Sequence, residues 1–327
     1  MDNSEIQIWD LKDGMKIHSF KGHKKPATSI CFIPNTTFMA SAAADSSVKI
    51  WCLKTKKLVK SLKDHSENVN FIKALELKNN YNQYLCSGGE DGKVCFYACN
   101  KKTKRFMKTT IFKNNGKLFC CDGNENYVAV GGSSKSIFVY EINDKGTVKE
   151  RKLKRIHRKQ LNFLTFSFQN DMFVTGSEDG AVIVWKNNGE NWEYTEVKIL
   201  EQVEKKNTNK FRPNAAVWNF DDTSLCILGN DGKIRIWNSD GTEYIKTFDG
   251  KHHKNSYFIQ ARPSSVNHIF SIGFEGTLKI WNMTSSECIE ISLNLKKKSN
   301  GFDASLSADG QKLVVGGKKF MKIFTGI

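Results

Sequence analysis

A chain of 327 residues with 22 Phe, 8 Tyr and 7 Trp against 4 Pro is too aromatic for a solvated low-complexity segment, and it carries enough apolar material for a sizeable core. Lys and Arg number 50 and Asp and Glu 34, a formal charge of +16 that favours nucleic acid, anionic surfaces or acidic protein segments as partners and leaves the fold open. Nine cysteines without a C-x-x-C pair exclude a small secreted disulfide framework, and the absence of a long apolar run or a basic, apolar start excludes a spanning helix and a signal peptide; the cysteines read as reduced, buried small hydrophobes of a soluble intracellular protein.

One phrase recurs along the chain: a turn residue, alternating apolar positions, then an aromatic. Its copies are NSEIQIW ending at Trp9, DSSVKIW at Trp51, DGKVCFY at Tyr97, SKSIFVY at Tyr140, DGAVIVW at Trp185, DGKIRIW at Trp237, EGTLKIW at Trp281 and a decayed KKFMKIF at Phe324. Successive anchors lie 42 to 52 positions apart, the period of a β-propeller blade.

Within each unit the alternation has period two and turn signals bound every run, which predicts four short antiparallel strands and no helix of useful length. The second unit shows the pattern: residues 28–33 form the innermost strand, 37–43 the second, 47–52 the third and 57–62 the outer one. The D-G and D-S pairs before third strands supply the backbone freedom of a tight hairpin. The chain starts on the last two strands of a repeat, about residues 4–9 and 14–20, and ends on the first three of another, about 301–325. Two arrangements follow. Residues 14–20 complete the last blade, giving seven complete four-stranded blades and a spare strand at 4–9, or the ring has eight blades and is truncated at its N-terminus. Either way, residues 1–327 read as a single domain that begins inside a first repeat, with a long inter-blade insertion at 199–213.

The blade-length period, the W-D or W-N ends (Trp9-Asp10, Trp237-Asn238, Trp281-Asn282) and Gly22-His23 one strand earlier resemble the WD40 family across essentially the whole chain. In that family a His before the first strand, a Ser or Thr on the second, an Asp in the turn and a Trp on the third form a hydrogen-bonded set that holds a blade together. The resemblance assigns this structural tetrad to His23, Ser41, Asp45 and Trp51, and again to His157, Thr175, Asp179 and Trp185. Partial copies are His65, Ser87 and Asp91 ending on Tyr97, and His252, Ser271 and Trp281 with Glu275 in place of Asp. Repeats four and six lack the His and are expected to be the more mobile.

Non-consensus stretches resemble more particularly the WD-repeat domain of the bromodomain-and-WD-repeat family: VKIWCLKT (48–55), SGGEDGKVCFYAC (87–99), TGSEDGAVIVW with Trp192 following (175–192), AAVWN (215–219), IRIWNSDGTEYI (234–245) and SADGQKLVV (307–315). That resemblance implies a nuclear, chromatin-associated protein implicated in transcription, with cytoplasmic residence as the alternative. Bromodomains, which read acetylated lysine, belong to a downstream region outside these residues. Some relatives meet a ubiquitin-ligase adaptor through W-D-x-R; here the matching Trp9-Asp10-Leu11-Lys12 has Lys, which lacks the planar fork of Arg.

No enzyme chemistry is expected, because each prominent His and Asp already has a repeat position. No catalytic residue, cofactor or metal ligand is assigned: His252-His253 lacks a third ligand, and Gly88-Gly89, Gly131-Gly132 and Gly316-Gly317 end second strands instead of opening phosphate-binding helices. Trp218, on an innermost strand, reads as core. Two basic runs remain. KERKLKRIHRK at 149–159 offers Lys149, Arg151, Lys152, Lys154, Arg155, Arg158 and Lys159 to an anionic partner, and KKTKRFMK at 101–108 extends it into one electropositive rim. Alternation puts Arg151, Leu153 and Arg155 on one side and Lys152 and Lys154 on the other. Charge on outer strands equally protects a sheet edge from aggregation.

The expected function is a non-enzymatic WD40 scaffold that binds protein segments or peptides, with nucleosome or nucleic-acid backbone contact through the basic rim, and with neither a membrane nor a small-molecule substrate. The alternative is a basic WD40 subunit of an RNA-processing or ribosome-assembly particle.

Overall fold

The computed structural model describes residues 4–75, 82–100, 103, 105–143, 145–168, 172–202, 211–248, 256–261, 268–273, 277–292, 302–307, 312–317 and 320–325. Every extended element is a strand in a small antiparallel sheet. A two-stranded sheet pairs β1 (Ile6–Trp9) with β2 (Lys16–Phe20). Four-stranded sheets follow in strict sequence order. The first holds β3 (Ala27–Phe32), β4 (Phe38–Ala43), β5 (Val48–Cys52) and β6 (Lys57–Leu62); the second holds β7 (Val69–Leu75), β8 (Asn82–Gly89), β9 (Lys93–Asn100) and β10 (Phe106–Lys113). The third holds β11 (Leu118–Gly123), β12 (Tyr127–Gly132), β13 (Ile137–Ile142) and β14 (Val148–Lys152). The fourth holds β15 (Leu161–Phe166), β16 (Met172–Ser177), β17 (Val182–Asn187) and β18 (Trp192–Val197).

Among the described residues one 3-10 turn, Ile199–Gln202, opens the insertion, and Pro213, expected to close it, already starts a strand. The fifth sheet holds β19 (Pro213–Trp218), β20 (Ser224–Gly229), β21 (Ile234–Asn238) and β22 (Tyr244–Phe248); the sixth holds β23 (Ser256–Ala261), β24 (His268–Gly273), β25 (Thr277–Asn282) and β26 (Cys288–Ser292). A three-stranded sheet, β27 (Phe302–Leu306), β28 (Lys312–Gly317) and β29 (Phe320–Thr325), completes the order. The expected strands of the second repeat are met to within a residue. The strand at 4–9 is not spare, since β1 pairs with β2 from Ile6 against Phe20 to Trp9 against Lys16.

The hairpin between second and third strands has one recurring backbone requirement. Two residues ahead of β5, β13, β17 and β21, and at the matching place before Val94, the chain is left-handed at Ser46, Lys135, Gly180, Gly232 and Gly92. Gly92 answers a second demand, because a Cβ there would lie 2.3 Å from the Asn114 carbonyl oxygen.

Two compact units divide the chain at 164/165, inside β15 and away from the insertion. In the first unit, β3 packs on β7 and β7 on β11, so the apolar clusters sit between successive sheets. One cluster joins Ala40, Val48 and Ile50 to Leu85, Tyr97 and Phe106; the next joins Phe71 and Phe96 to Val130 and Tyr140. Trp51 closes the other side against Ile6 and Phe20 of the two-stranded sheet. In the second unit, β19 packs on β23 in the same way, with Trp281 meeting Ile236 and Phe248. Trp218 is fully buried, and its indole N–H donates to the Ser239 carbonyl at 3.0 Å.

Candidate functional site

Sheet β3–β6 is closed at one corner by a relay of four side chains. The Trp51 Nε1–H donates to Ser41 Oγ at 2.8 Å, and Ser41 Oγ lies 2.7 Å from His23 Nε2. His23 Nδ1 lies 3.0 Å from Asp45 Oδ2. With the imidazole neutral and its proton on Nδ1 facing the carboxylate, Nε2 accepts the Ser41 hydroxyl proton while Ser41 Oγ accepts from the indole, which only donates. Asp45 also accepts from the Ser47 hydroxyl at 2.6 Å and the Lys24 backbone N–H at 2.8 Å. Burial drives the His23 pKa down against the opposing pull of Asp45, which favours the neutral ring. Burial raises the Asp45 pKa, but the Ser47 hydroxyl, the Lys24 N–H and His23 together hold it below the usual value.

The second sheet repeats the set with a substitution. His65 Nδ1 sits 3.1 Å from Asp91 Oδ1, and its Nε2 2.9 Å from Ser87 Oγ. Tyr97, in place of Trp, turns its hydroxyl to Asp64 Oδ2 at 3.2 Å, and Asp64 also pairs with Lys108 Nζ at 3.1 Å. Burial lowers the His65 pKa and raises that of Tyr97. In the fourth sheet Trp185 Nε1 donates to Thr175 at 3.0 Å, and Asp179 accepts the Ala181 N–H at 2.9 Å. His157 is buried, in the other compact unit from those three residues. Trp281 donates to Ser271 at 3.0 Å, while His252 and Glu275 lie outside the described residues.

The two repeats without His are wired differently. In the fifth sheet Ile227 stands where Ser41 stands in the first, and the buried Trp237 Nε1 makes no hydrogen bond. Asp231, at the turn position, is gripped by the buried Arg235 guanidinium at 2.6 and 3.2 Å. In the third sheet the Asn114 amide donates to Tyr140 Oη at 2.9 Å, and that hydroxyl donates to Glu150 at 3.0 Å. Sequence reasoning missed both Arg235 and Asn114. Each sits at a countable place in the repeat but carries a residue type that the family pattern does not look for.

The basic run 149–159 lies on β14 and the segment that follows it. Arg151 is half-buried and pairs with Glu141 at 3.2 Å; Lys149, Lys152, Lys154, Arg155, Arg158 and Lys159 are exposed. The alternation expected to separate Arg155 from Lys152 does not hold. The strand ends at Lys152, so the period-two rule stops there, and Lys152 and Arg155 line one cleft together with Lys113. Of the second run, Phe106 turns inward, Lys108 is tied to Asp64, and Lys101, Lys102 and Lys104 lie outside the described residues.

The cysteines are free thiols. Cys288 breaks the expectation of burial, standing exposed on β26; Cys31, Cys120 and Cys121 are half-buried. Among the described residues no three His, Cys, Asp or Glu side chains gather as a metal set, and no helix is long and apolar enough to cross a membrane. His253, like His252, is outside the described residues.

Four-stranded antiparallel sheets repeated at blade length define the blades of the β-propeller class. Residues 14–52 and 56–97 match the family described as WD domain, G-beta repeat, and residues 164–277 match the anaphase-promoting complex subunit 4 WD40 domain. The chain belongs to the WD40-repeat proteins. It is 21% identical over 402 residues to a bromodomain and WD repeat-containing protein of Dictyostelium discoideum, a match spanning 98% of this chain and 18% of that protein. Protein TOPLESS of Arabidopsis thaliana is 22% identical over 76% of this chain, which again covers 18% of that relative. Human WD repeat-containing protein 41 is 22% identical over 88% of this chain and 64% of its own length.

Proposed function

We propose that this chain is a non-enzymatic interaction scaffold that binds protein segments and serves as the WD40 part of a nuclear, chromatin-associated regulator of transcription. The observation that carries the reading is the similarity to a bromodomain and WD repeat-containing protein along 98% of the chain. The corner chemistry supports the non-enzymatic half. His23, His65, Asp45 and Asp91 are all engaged in holding blades, so the polar groups that resemble catalytic parts already have structural partners.

The net charge of +16 and the exposed Lys149, Lys154 and Arg158 support an anionic partner met through the phosphate backbone, without sequence preference and with strong salt dependence. The test compares the full chain with a Lys149→Glu, Lys154→Glu, Arg158→Glu variant on nucleosomes, free duplex DNA and structured RNA across a salt series. Nucleosome binding that exceeds binding to free DNA and falls in the variant is the expected result. Preference for RNA, retained above physiological salt, would replace the chromatin reading with an RNA-particle subunit.

A further inference from the structure

The His–Asp pair that closes a corner of the first two blades has no counterpart in the third, where Asn114 bonds Tyr140 instead. Four residues ahead of the first strand, β3 has His23 and β7 has His65, whereas β11 has Asn114. Three residues ahead of Val48 and Val94 stand Asp45 and Asp91; three ahead of Ile137 stands Ser134. Both the imidazole and the carboxylate are therefore missing from sheet β11–β14. In their place is a cleft of about 540 Å3, lined among others by Lys113, Ser134, Ser136, Glu150, Lys152 and Arg155.

The cleft lacks that anion and is lined by cations. Among the described residues Lys113 and Arg155 form no ion pair, and the Lys152 ammonium stands 5.8 Å over the Phe138 ring. Glu150, the one acid of the lining, accepts a hydrogen bond from the Tyr140 hydroxyl at 3.0 Å. Three cations against one carboxylate leave the lining at a net +2. A phosphate monoester carries close to two negative charges and three strong acceptor oxygens, and it matches that charge and the hydroxyls of Ser134 and Ser136 better than a single carboxylate does. The volume lies in the range of sites that hold a ligand larger than a bare ion.

We propose that this cleft binds a phosphate monoester on a serine or threonine side chain of a protein segment, whose phosphate takes the place of the aspartate that blades one and two supply from their own turns. The inference rests on the scaffold reading only for the source of the phosphate. The rim variant used above leaves Lys113, Lys152 and Arg155 intact, so failure of either reading is separately visible.

Calorimetric titration of the full chain tests it, with an array-selected phosphoserine peptide, the same peptide unphosphorylated, N-acetyl-phosphoserine amide and inorganic phosphate as probes. The expected result is binding of the phosphopeptide at least tenfold tighter than its unphosphorylated form, weakened at least tenfold by Arg155→Gln. Ser134→Asp returns the missing acid in cis and is expected to abolish phosphopeptide binding without loss of thermal stability; the rim variant retains it. Because Arg155 is exposed, its replacement leaves the fold intact, which near-ultraviolet circular dichroism checks. Equal binding by wild type and both cleft variants, or no difference between the two peptides, would overturn the site. Inorganic phosphate or N-acetyl-phosphoserine amide binding as tightly as the phosphopeptide, with the same loss in Arg155→Gln, would overturn the protein-segment source and assign a free phosphate ligand.

Discussion

At the scale of single residues, burial of the His23 and His65 rings favours their neutral form, and this makes stability depend on pH. Burial lowers the pKa of His23 and of His65 from the usual 6.5, so below about that value the unfolded chain takes up protons that the folded chain refuses. The contribution is fully present above pH 6.5 and is lost as pH falls through the lowered folded values. Asp45 and Asp91, both lowered from 3.8, add a further loss at more acidic pH. The melting temperature is accordingly expected to fall from pH 6.5 to pH 5, and a His23→Gln, His65→Gln variant to start lower but fall less steeply; parallel slopes in a thermal scan would contradict the assignment. The His23 relay was legible because its residue types are distinctive. The third-blade cleft was not, because it is made by absence: Asn114 and Ser134 are ordinary turn residues, and only counting from the strands shows what they replace.

At the scale of elements, the turn between second and third strands decides whether a blade closes. Its left-handed position is occupied by Gly in some blades and by Ser46 or Lys135 in others. Gly92 is the least replaceable, since Gly92→Ala would add left-handed strain and press a methyl group on the Asn114 carbonyl. We expect this substitution to cost about 2 kcal/mol or more, measured by urea unfolding, whereas Ser46→Gly is neutral or stabilising by a few tenths. Strand positions were readable from the sequence because alternation and turn chemistry agree at every blade. Strand ends were less so. The expected alternation ran past Lys152 to Arg155 because a row of charged residues has no apolar partner to mark where pairing stops.

At the scale of the whole molecule, apolar clusters lie between neighbouring sheets within each unit, so a blade's stability is shared with the next one. Phe106 on β10 illustrates this, meeting Phe38 on β4 edge to face at 5.4 Å from a neighbouring sheet. Phe106→Ala is expected to cost about 3 to 5 kcal/mol and to speed amide exchange in β4 and β5 as well as in β9. Exchange confined to sheet β7–β10 would show that blades respond singly. The period of the aromatic anchors made the blade series legible from end to end.

The four corners that differ most, His23 with Asp45, Tyr97 with Asp64, Arg235 with Asp231 and Asn114 with Tyr140, solve one geometric problem by four separate chemistries. A repeated problem solved locally gives the chain redundancy: one corner can be released from holding its blade while the neighbours carry the load. Mutations at such a corner explore new surface chemistry at low risk to folding, which makes it the place where a duplicated array acquires individuality.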